Sequence, residues 1–253
     1  MQMDMTGKVA LVTGASRGIG TAVARAFHEA GADVAIAARD AEALRRLADE
    51  LGSSGGRALA ITADVSDPAS VTAMVTSILD EFGRLDFACN NAGIEQDIQP
   101  LQEQTEETFD RIMNINVKGV WLSMKHEIPA MLRTGGGAIV NLTSVAGVIG
   151  MSGLDIYVAS KHAVIGLTKT AALAFGKSNI RVNAVGPAAI QTPMFDRFTH
   201  GDAKMLSAFA NLHPIGRIGQ PEEVAEAVVW LCSDKASFVT GHTLMVDGGF
   251  TAQ

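Results

Sequence analysis

The sequence predicts an α/β fold: a doubly wound parallel sheet of about seven strands, with helices on both faces and the whole of residues 1–253 in one domain. Three observations predict it. Short β-type runs alternate with helix-length segments almost throughout, the pattern of repeated strand–helix–strand units. Each strand candidate is a continuous apolar run, as expected of strands covered on both faces. No linker, low-complexity tract or internal repeat divides the chain.

The strand candidates, in order, are KVALVTG (8–14), DVAIAA (33–38), ALAITAD (58–64), LDFACNN (85–91), AIVNLTS (138–144), IRVNAVG (180–186) and TLMVD (243–247). Between them, GTAVARAFHEAG (20–31) and DPASVTAMVTSILDEFG (67–83) carry apolar residues at helical spacing. The second opens with Asp67 as cap and Pro68 at the first helical position, where a missing N–H costs nothing. The stretch 187–212 breaks the alternation. Following the sixth strand, it reads as an irregular loop region placed to cover a ligand.

Composition narrows the function. Apolar residues make up 47% and the net charge is −7. An acidic chain without basic runs is poorly suited to nucleic acid or anionic membranes; Arg45 and Arg46 read as a solvated helix face. Cys89 and Cys232 are too far apart in sequence for a disulfide framework or zinc pattern and read as reduced core residues. There is no metal-ligand constellation. MQMDMTGKVA lacks the apolar stretch of a signal peptide, and no apolar run is long enough to span a membrane. A soluble cytoplasmic protein is expected.

TGASRGIG (13–20) follows the first strand and opens the first helix. Gly14, Gly18 and Gly20 allow the close backbone approach that a pyrophosphate needs at a helix N-terminus. Ser16, Arg17 and Ile19 complete the turn. The second strand ends IAARD. Ala38 stands where a carboxylate would hold the ribose hydroxyls of NAD, and Arg39 follows. Arg39 and Arg17 can pair with a 2′-phosphate, so NADP(H) is preferred and NAD(H) possible. Alternatively, Arg39 stacks on adenine and Arg17 is solvated. Asp40 would repel a phosphate if it turned inward, but it is placed to cap the next helix.

The only tyrosine, Tyr157, stands four residues before Lys161, and residues so spaced share a helix face. A phenol of pKa ~10 is a sluggish base at neutral pH, and a neighbouring ammonium favours its ionised form. A drop of about 2–3 in pKa would represent roughly 3–4 kcal/mol and bring Tyr157 towards general acid–base work. The alternative is a buried tyrosine beside a snorkelling lysine.

With TGASRGIG and YVASK, the chain carries NNAG (90–93), NINVKG (114–119), NLTSVAG (141–147) and a terminal VDGG (246–249). In this order and at these spacings they resemble the short-chain dehydrogenase/reductase family, over nearly the whole chain. WLSMKHEIPAML (121–132) and HPIGRIGQPEEVAEAVVWLCSDKASFVTG (213–241) resemble its branch of bacterial alcohol dehydrogenases and ketoreductases. The resemblance implies a Rossmann-type nucleotide site and hydride transfer between NAD(P) and a ketone or secondary alcohol. Tyr157 would exchange a proton with the substrate oxygen, Ser144 would hydrogen-bond it, and Lys161 would lower the tyrosine pKa and hold the ribose. Asn116, which directly precedes VKG, would support a water leading from Lys161 towards solvent; Asn114 would be a helix or packing residue. By position, Asp64 and Val65 would meet adenine, and Asn90, Ala92 and Gly93 would line the adenosine ribose and pyrophosphate; the alternatives are that Asp64 caps its loop and that Asn90 only braces the turn. Pro187, Ile190 and Thr192 would lie by the nicotinamide. Alanine at 188, where the family has glycine after Pro187, would narrow the pocket or shift its loop.

The substrate pocket is expected from the segments after the fourth, fifth and sixth strands. Gln96, Met151, Leu154, Ala188 and Phe195 are its principal candidates, beside Ser144. Ile94, Glu95, Val148, Gly150, Ala189, Phe198, Met205 and Phe209 are further ones, and Arg197 is the one cation suited to an anionic group. A small, mainly hydrophobic ketone or secondary alcohol fits this lining. Within the family, cyclic alcohol and dihydrodiol dehydrogenases and 3-oxoacyl thioester reductases are the alternatives, and a non-catalytic scaffold is a remote one. Apolar faces at about 105–133 and 155–177, and the C-terminal segment, resemble the family's homotetramer interfaces.

Overall fold

A computed structural model describes residues 3–252. Seven parallel strands form one sheet in the order β3-β2-β1-β4-β5-β6-β7. They are β1 (Val9–Thr13), β2 (Asp33–Ala38), β3 (Ala58–Thr62), β4 (Phe87–Asn90), β5 (Gly137–Leu142), β6 (Ile180–Pro187) and β7 (Thr243–Val246). The helices between them are α1 (Gly18–Glu29), α2 (Ala41–Ser53), α3 (Pro68–Phe82), α4 (Glu106–Met113), α5 (Gly119–Leu132), α6 (Asp155–Phe175), α7 (Pro193–Thr199), α8 (Ala203–Asn211) and α9 (Pro221–Cys232).

Period-two alternation along each strand divides its side chains between two cores. Ala10 and Val12 of β1 enter the core with α1, α2 and α9, while Val9 and Leu11 enter the one with α3, α5 and α6. In β2, Val34 and Ile36 go one way and Ala35 and Ala37 the other. Both faces are therefore apolar, which is why the strands read as unbroken runs. Cys89 and Cys232 are free and buried.

Local signals set the helix starts. The Asp67 carboxylate accepts from the Ala69 and Ser70 N–H groups, a cap worth about 1 kcal/mol. Asp40 accepts from the Ala43 N–H at 3.0 Å, so its carboxylate is engaged as the cap of α2. Residues 187–212 are more regular than the sequence reading expects. Thr192 caps α7 with Pro193 in its first turn, and Asp202 caps α8. Both are ordinary start signals, obscured in sequence by how short the two helices are.

The order β2-β1-β4 marks where the chain reverses its direction of winding. In such sheets a crevice opens there beyond the carboxyl ends of the strands, and both cavities described below lie at that end.

Candidate active site

A polar cleft of about 660 Å³ runs over the ends of β1, β2 and β4. Gly14 and Gly18 have φ of +67° and +59°, conformations costly for other residues. A Cβ on Gly14 would lie 2.8 Å from Asn91 Nδ2 and 2.9 Å from Ala92 Cα, and one on Gly20 would fall on the Gly14 carbonyl oxygen. The bare turn thus packs on the β4 segment and leaves the α1 N-terminus facing the cleft. A pyrophosphate fits that cradle. Ser16, Ile19, Asp64, Val65, Ala92 and Gly93 line it as expected, with Gly20 buried just beneath.

Arg17 and Arg39 are exposed on the same cleft, and neither makes a hydrogen bond or ion pair among the described residues. Asp64 lies near enough to feel the Arg39 charge, although its depressed pKa comes first from the Ser66 hydroxyl that it accepts.

Asn90 departs from expectation. Its side chain is buried under the sheet ends, donating to Glu127 Oε2 (3.1 Å) and Asn141 Oδ1 (3.0 Å), and it does not reach the cleft. Asn91 does. Its Nδ2 donates to the carbonyls of Thr13 and Gly14, and the Thr13 hydroxyl oxygen accepts from its N–H. Successive residues at a strand end face opposite sides, so the second asparagine of the NN pair faces the turn.

A smaller, mostly apolar cavity of about 210 Å³ adjoins the cleft. Ser144, Tyr157 and Lys161 line it together. Ser144 caps the turn Val145–Gly147, accepting from the Ala146 N–H, and its hydroxyl stands near enough to the Tyr157 phenol to favour the ionised form. Lys161 Nζ donates to the Leu142 carbonyl (3.1 Å) and sits over the tyrosine ring, 5.5 Å from its centroid. Thr143 Oγ1 donates to the Lys161 carbonyl, tying α6 to the end of β5.

The electrostatics reverse the sequence expectation for Tyr157. Desolvation pushes its phenol up to about 12; the nearby Ser144 hydroxyl opposes this, and the Glu95 charge adds to it. Burial pushes Lys161 down to about 8. The low-polarity wall disfavours both charged forms, and the ammonium lies over the tyrosine ring.

Asn116 sits in a π-helical turn, Asn114–Lys118, between α4 and α5, a feature frequent at functional sites. Its Oδ1 accepts from the Ile94 N–H, while Nδ2 donates to the Ile94 carbonyl and to Ser160 Oγ. The side chain braces the loop after β4 against α6.

Pro187, Ala188, Ala189, Ile190 and Thr192 line the smaller cavity. Among the described residues only Asn179 and His200 are non-glycines with positive φ, so Ala188 carries no left-handed strain. Gln96, Met151, Leu154, Phe195, Phe198 and Phe209 also face this space, whereas Val148, Gly150 and Met205 do not. Arg197 is tied to Glu95 at 2.7 Å and so is not a free anion receptor. Sequence reasoning missed Asn91, Met194, Phe250 and His213; the histidine was visible only as part of a loop motif. Among the described residues no cluster of three or more His, Cys, Asp or Glu is placed to hold a metal, and no helix is long and apolar enough to cross a membrane.

Residues 14–251 match the family model described as enoyl-(acyl carrier protein) reductase. The chain is 43% identical to a cyclohexanol dehydrogenase of Acinetobacter sp. (strain SE19), over 100% of this chain and 98% of that one. It is 46% identical to a 2,5-dichloro-2,5-cyclohexadiene-1,4-diol dehydrogenase of Sphingobium indicum, over 98% and 99%. A crystal structure of a short-chain type dehydrogenase/reductase from Mycobacterium marinum superposes with a TM-score of 0.93 at 39% identity, over 100% of this chain and 98% of that one.

Proposed function

The chain belongs to the short-chain dehydrogenase/reductase family, and from that premise we propose that it interconverts a small, mainly hydrophobic cyclic or branched ketone and its secondary alcohol, with NADP(H) as the preferred cofactor. The observation that carries this reading is the meeting of Ser144, Tyr157 and Lys161 on one cavity that adjoins the glycine-cradled cleft. When bound, the nicotinamide supplies or accepts the hydride.

The chain's own residues supply position and proton traffic. Gly14, Gly18 and Gly20 with the α1 N-terminus would hold the pyrophosphate; Arg17 and Arg39, whose side chains are unpaired among the described residues, would receive the 2′-phosphate. Ser144 and Tyr157 share the substrate oxygen. A phenol raised to about 12 keeps its proton at neutral pH and is ready to give it to a carbonyl oxygen. Taking a proton from an alcohol requires that Tyr157 first lose its own. Alcohol oxidation therefore rises with pH through the alkaline range, whereas carbonyl reduction is level near neutrality and falls as the phenol ionises. Asn116 positions the loop and α6 around this pair.

The cavity, at about 210 Å³, is below the ~300–1,000 Å³ of common ligand pockets. With Arg197 neutralised by Glu95, a neutral ring-sized substrate fits better than a carrier-bound acyl chain. Helices α7 and α8 contribute Phe195, Phe198 and Phe209 to the wall and cover it. Exposed Phe109, Trp121 and Leu173 on α4, α5 and α6 support a homotetramer.

The test is a turnover screen with NADPH and NADH against cyclic ketones, cyclic alcohols and acetoacetyl thioesters. Turnover of the cyclic compounds supports the reading. Turnover confined to the thioesters, or none from folded protein, overturns it.

A further inference from the structure

The loop after β4 carries a carboxylate to the junction of the two cavities, and its neighbours on both sides are tied down. Ile94 makes hydrogen bonds from its N–H and to its carbonyl with the Asn116 side chain, at 2.9 and 3.1 Å. Gln96 Oε1 accepts from the Tyr157 main-chain N–H at 2.9 Å, one of the first-turn donors that α6 cannot satisfy within itself. Glu95, between these two braced residues, lines the nucleotide cleft and the substrate cavity alike.

Its carboxylate meets a cation from far along the chain. Arg197 on α7 donates from Nε and from a terminal nitrogen to the same atom, Glu95 Oε1, at 2.9 and 2.7 Å. Among the described residues, α7 makes no other hydrogen bond to a residue outside 187–212. The Arg197 and Glu95 side chains are 50% and 27% exposed, and an ion pair so open to water contributes little to stability. Its consequence lies in its location. Besides Tyr157, the titratable side chains of the substrate cavity are Glu95, Lys161 on α6 and His213 before α9. Asp155, at the start of α6, is engaged by the Gln104 amide. Asp97 and Arg111 line the cleft with Glu95 and Arg197. The Glu95 charge acts on the Tyr157 phenol and favours its protonated form. A cation seated on that carboxylate offsets most of its field.

We infer that Glu95 and Arg197 are a matched pair of positioning residues for the proton step: Arg197 holds the Glu95 carboxylate at the junction and offsets its charge, so that the pair presents no net charge to Tyr157. This inference deepens the dehydrogenase reading and rests on it. Neither residue exchanges a proton or hydride with the substrate; both act through the ease with which Tyr157 parts with its proton. The two therefore act with opposite sign. Removing the carboxylate leaves a bare cation and favours the phenolate. Removing the guanidinium leaves a bare anion and favours the phenol.

Tyr157 is the only tyrosine in the chain, so the ring-carbon NMR signal of isotope-labelled tyrosine in the cofactor-free protein reports its ionisation alone. The ionised fraction is read at one fixed alkaline pH at which circular dichroism shows every variant folded. The kcat for cyclohexanol oxidation is measured at the same pH. Glu95→Gln, which keeps an amide oxygen for Arg197, should raise both readouts by about threefold, the effect of one partly screened charge. Arg197→Met should lower both by about threefold on the same grounds. The double variant, and Arg197→Lys, which keeps the charge, should each lie within about twofold of wild type. A pair that only braced α7 would respond to either single substitution in the same direction, and to the double at least as strongly. That outcome, or no movement in either readout, overturns the inference. Opposite shifts of the tyrosine signal without oxidation of any alcohol uphold the inference and remove the dehydrogenase reading. Oxidation of cyclohexanol with the same rate and the same ionised fraction in every variant does the reverse.

Discussion

The two halves of the site are built by different means. The nucleotide half is made of backbone: a turn bare of side chains, a helix end, and an asparagine clamping the carbonyls of Thr13 and Gly14. The substrate half is made of side chains brought from far apart, with Gln96 after β4, Met151 and Leu154 before α6, Phe195 and Phe209 on α7 and α8, and Phe250 near the end of the chain. A backbone site tolerates little change because close approach is its working feature. A side-chain site can change its occupant by single substitutions while the frame stays fixed. Tyr157 stands where the halves meet.

The difference can be sharpened by substitution. The largest effect is expected in the backbone half. Gly14→Val would force a side chain into the Asn91 and Ala92 atoms at a position with φ of +67°. The strain, of order 1–3 kcal/mol from the backbone alone, adds to the steric block. Nucleotide affinity measured by fluorescence titration should fall by about 100-fold or more, with the two nucleotides affected alike. Next is Arg39→Ala, which removes a charge-assisted contact of roughly 1.5–3 kcal/mol. The KM for NADPH should rise by about tenfold or more and that for NADH by far less. Equal movement of both would show that Arg39 does not read the 2′-phosphate.

The smallest effect lies beneath the junction. Asn90, Asn141, Glu127 and Thr168 form a buried polar seam linking β4 and β5 to α5 and α6. Burial pushes the Glu127 carboxyl from 4.5 up to about 8. Between those values the folded chain holds a proton that the unfolded chain releases. The stability linked to that proton is therefore whole below about 4.5 and is lost as pH rises towards 8. Glu127→Gln, which cannot ionise, should flatten this slope. Thermal melts at pH 5 and pH 8 should show the variant gaining relative to wild type at pH 8, by about 2–4 °C for each kcal/mol recovered. An unchanged slope would mean that Glu127 is not the group titrating.

The same division explains what was legible in the sequence. The inner strands were visible as apolar runs because both their faces are buried, the edge strands β3 and β7 because their partly exposed residues are still mostly apolar, and the glycine turn because its demand is local. Asp40 and Asp67 announced their helices for the same reason. The substrate wall was only partly visible, since an apolar residue placed for a pocket looks like one placed for the core. His213 was missed because one histidine in a loop carries no local signature. Of the two readings open for Asn90, bracing the strand ends is the one the structure shows, because strand alternation decides which of two adjacent asparagines faces the turn. The spacing of Tyr157 and Lys161 correctly put both on one cavity. The direction of the tyrosine shift did not follow, because burial is a property of the surrounding wall rather than of four residues along a helix.

The central claim is that the Tyr157 hydroxyl, beside Ser144 on the same cavity, carries the substrate proton between the two halves. The most direct measurement is single-turnover stopped flow on Tyr157→Phe, with NADPH binding titrated in parallel. The account predicts nucleotide affinity within about threefold of wild type and a chemical step slowed by roughly 10²–10⁴-fold, the usual worth of a general acid. A variant that binds NADPH normally and reduces the ketone at the wild-type rate would contradict it.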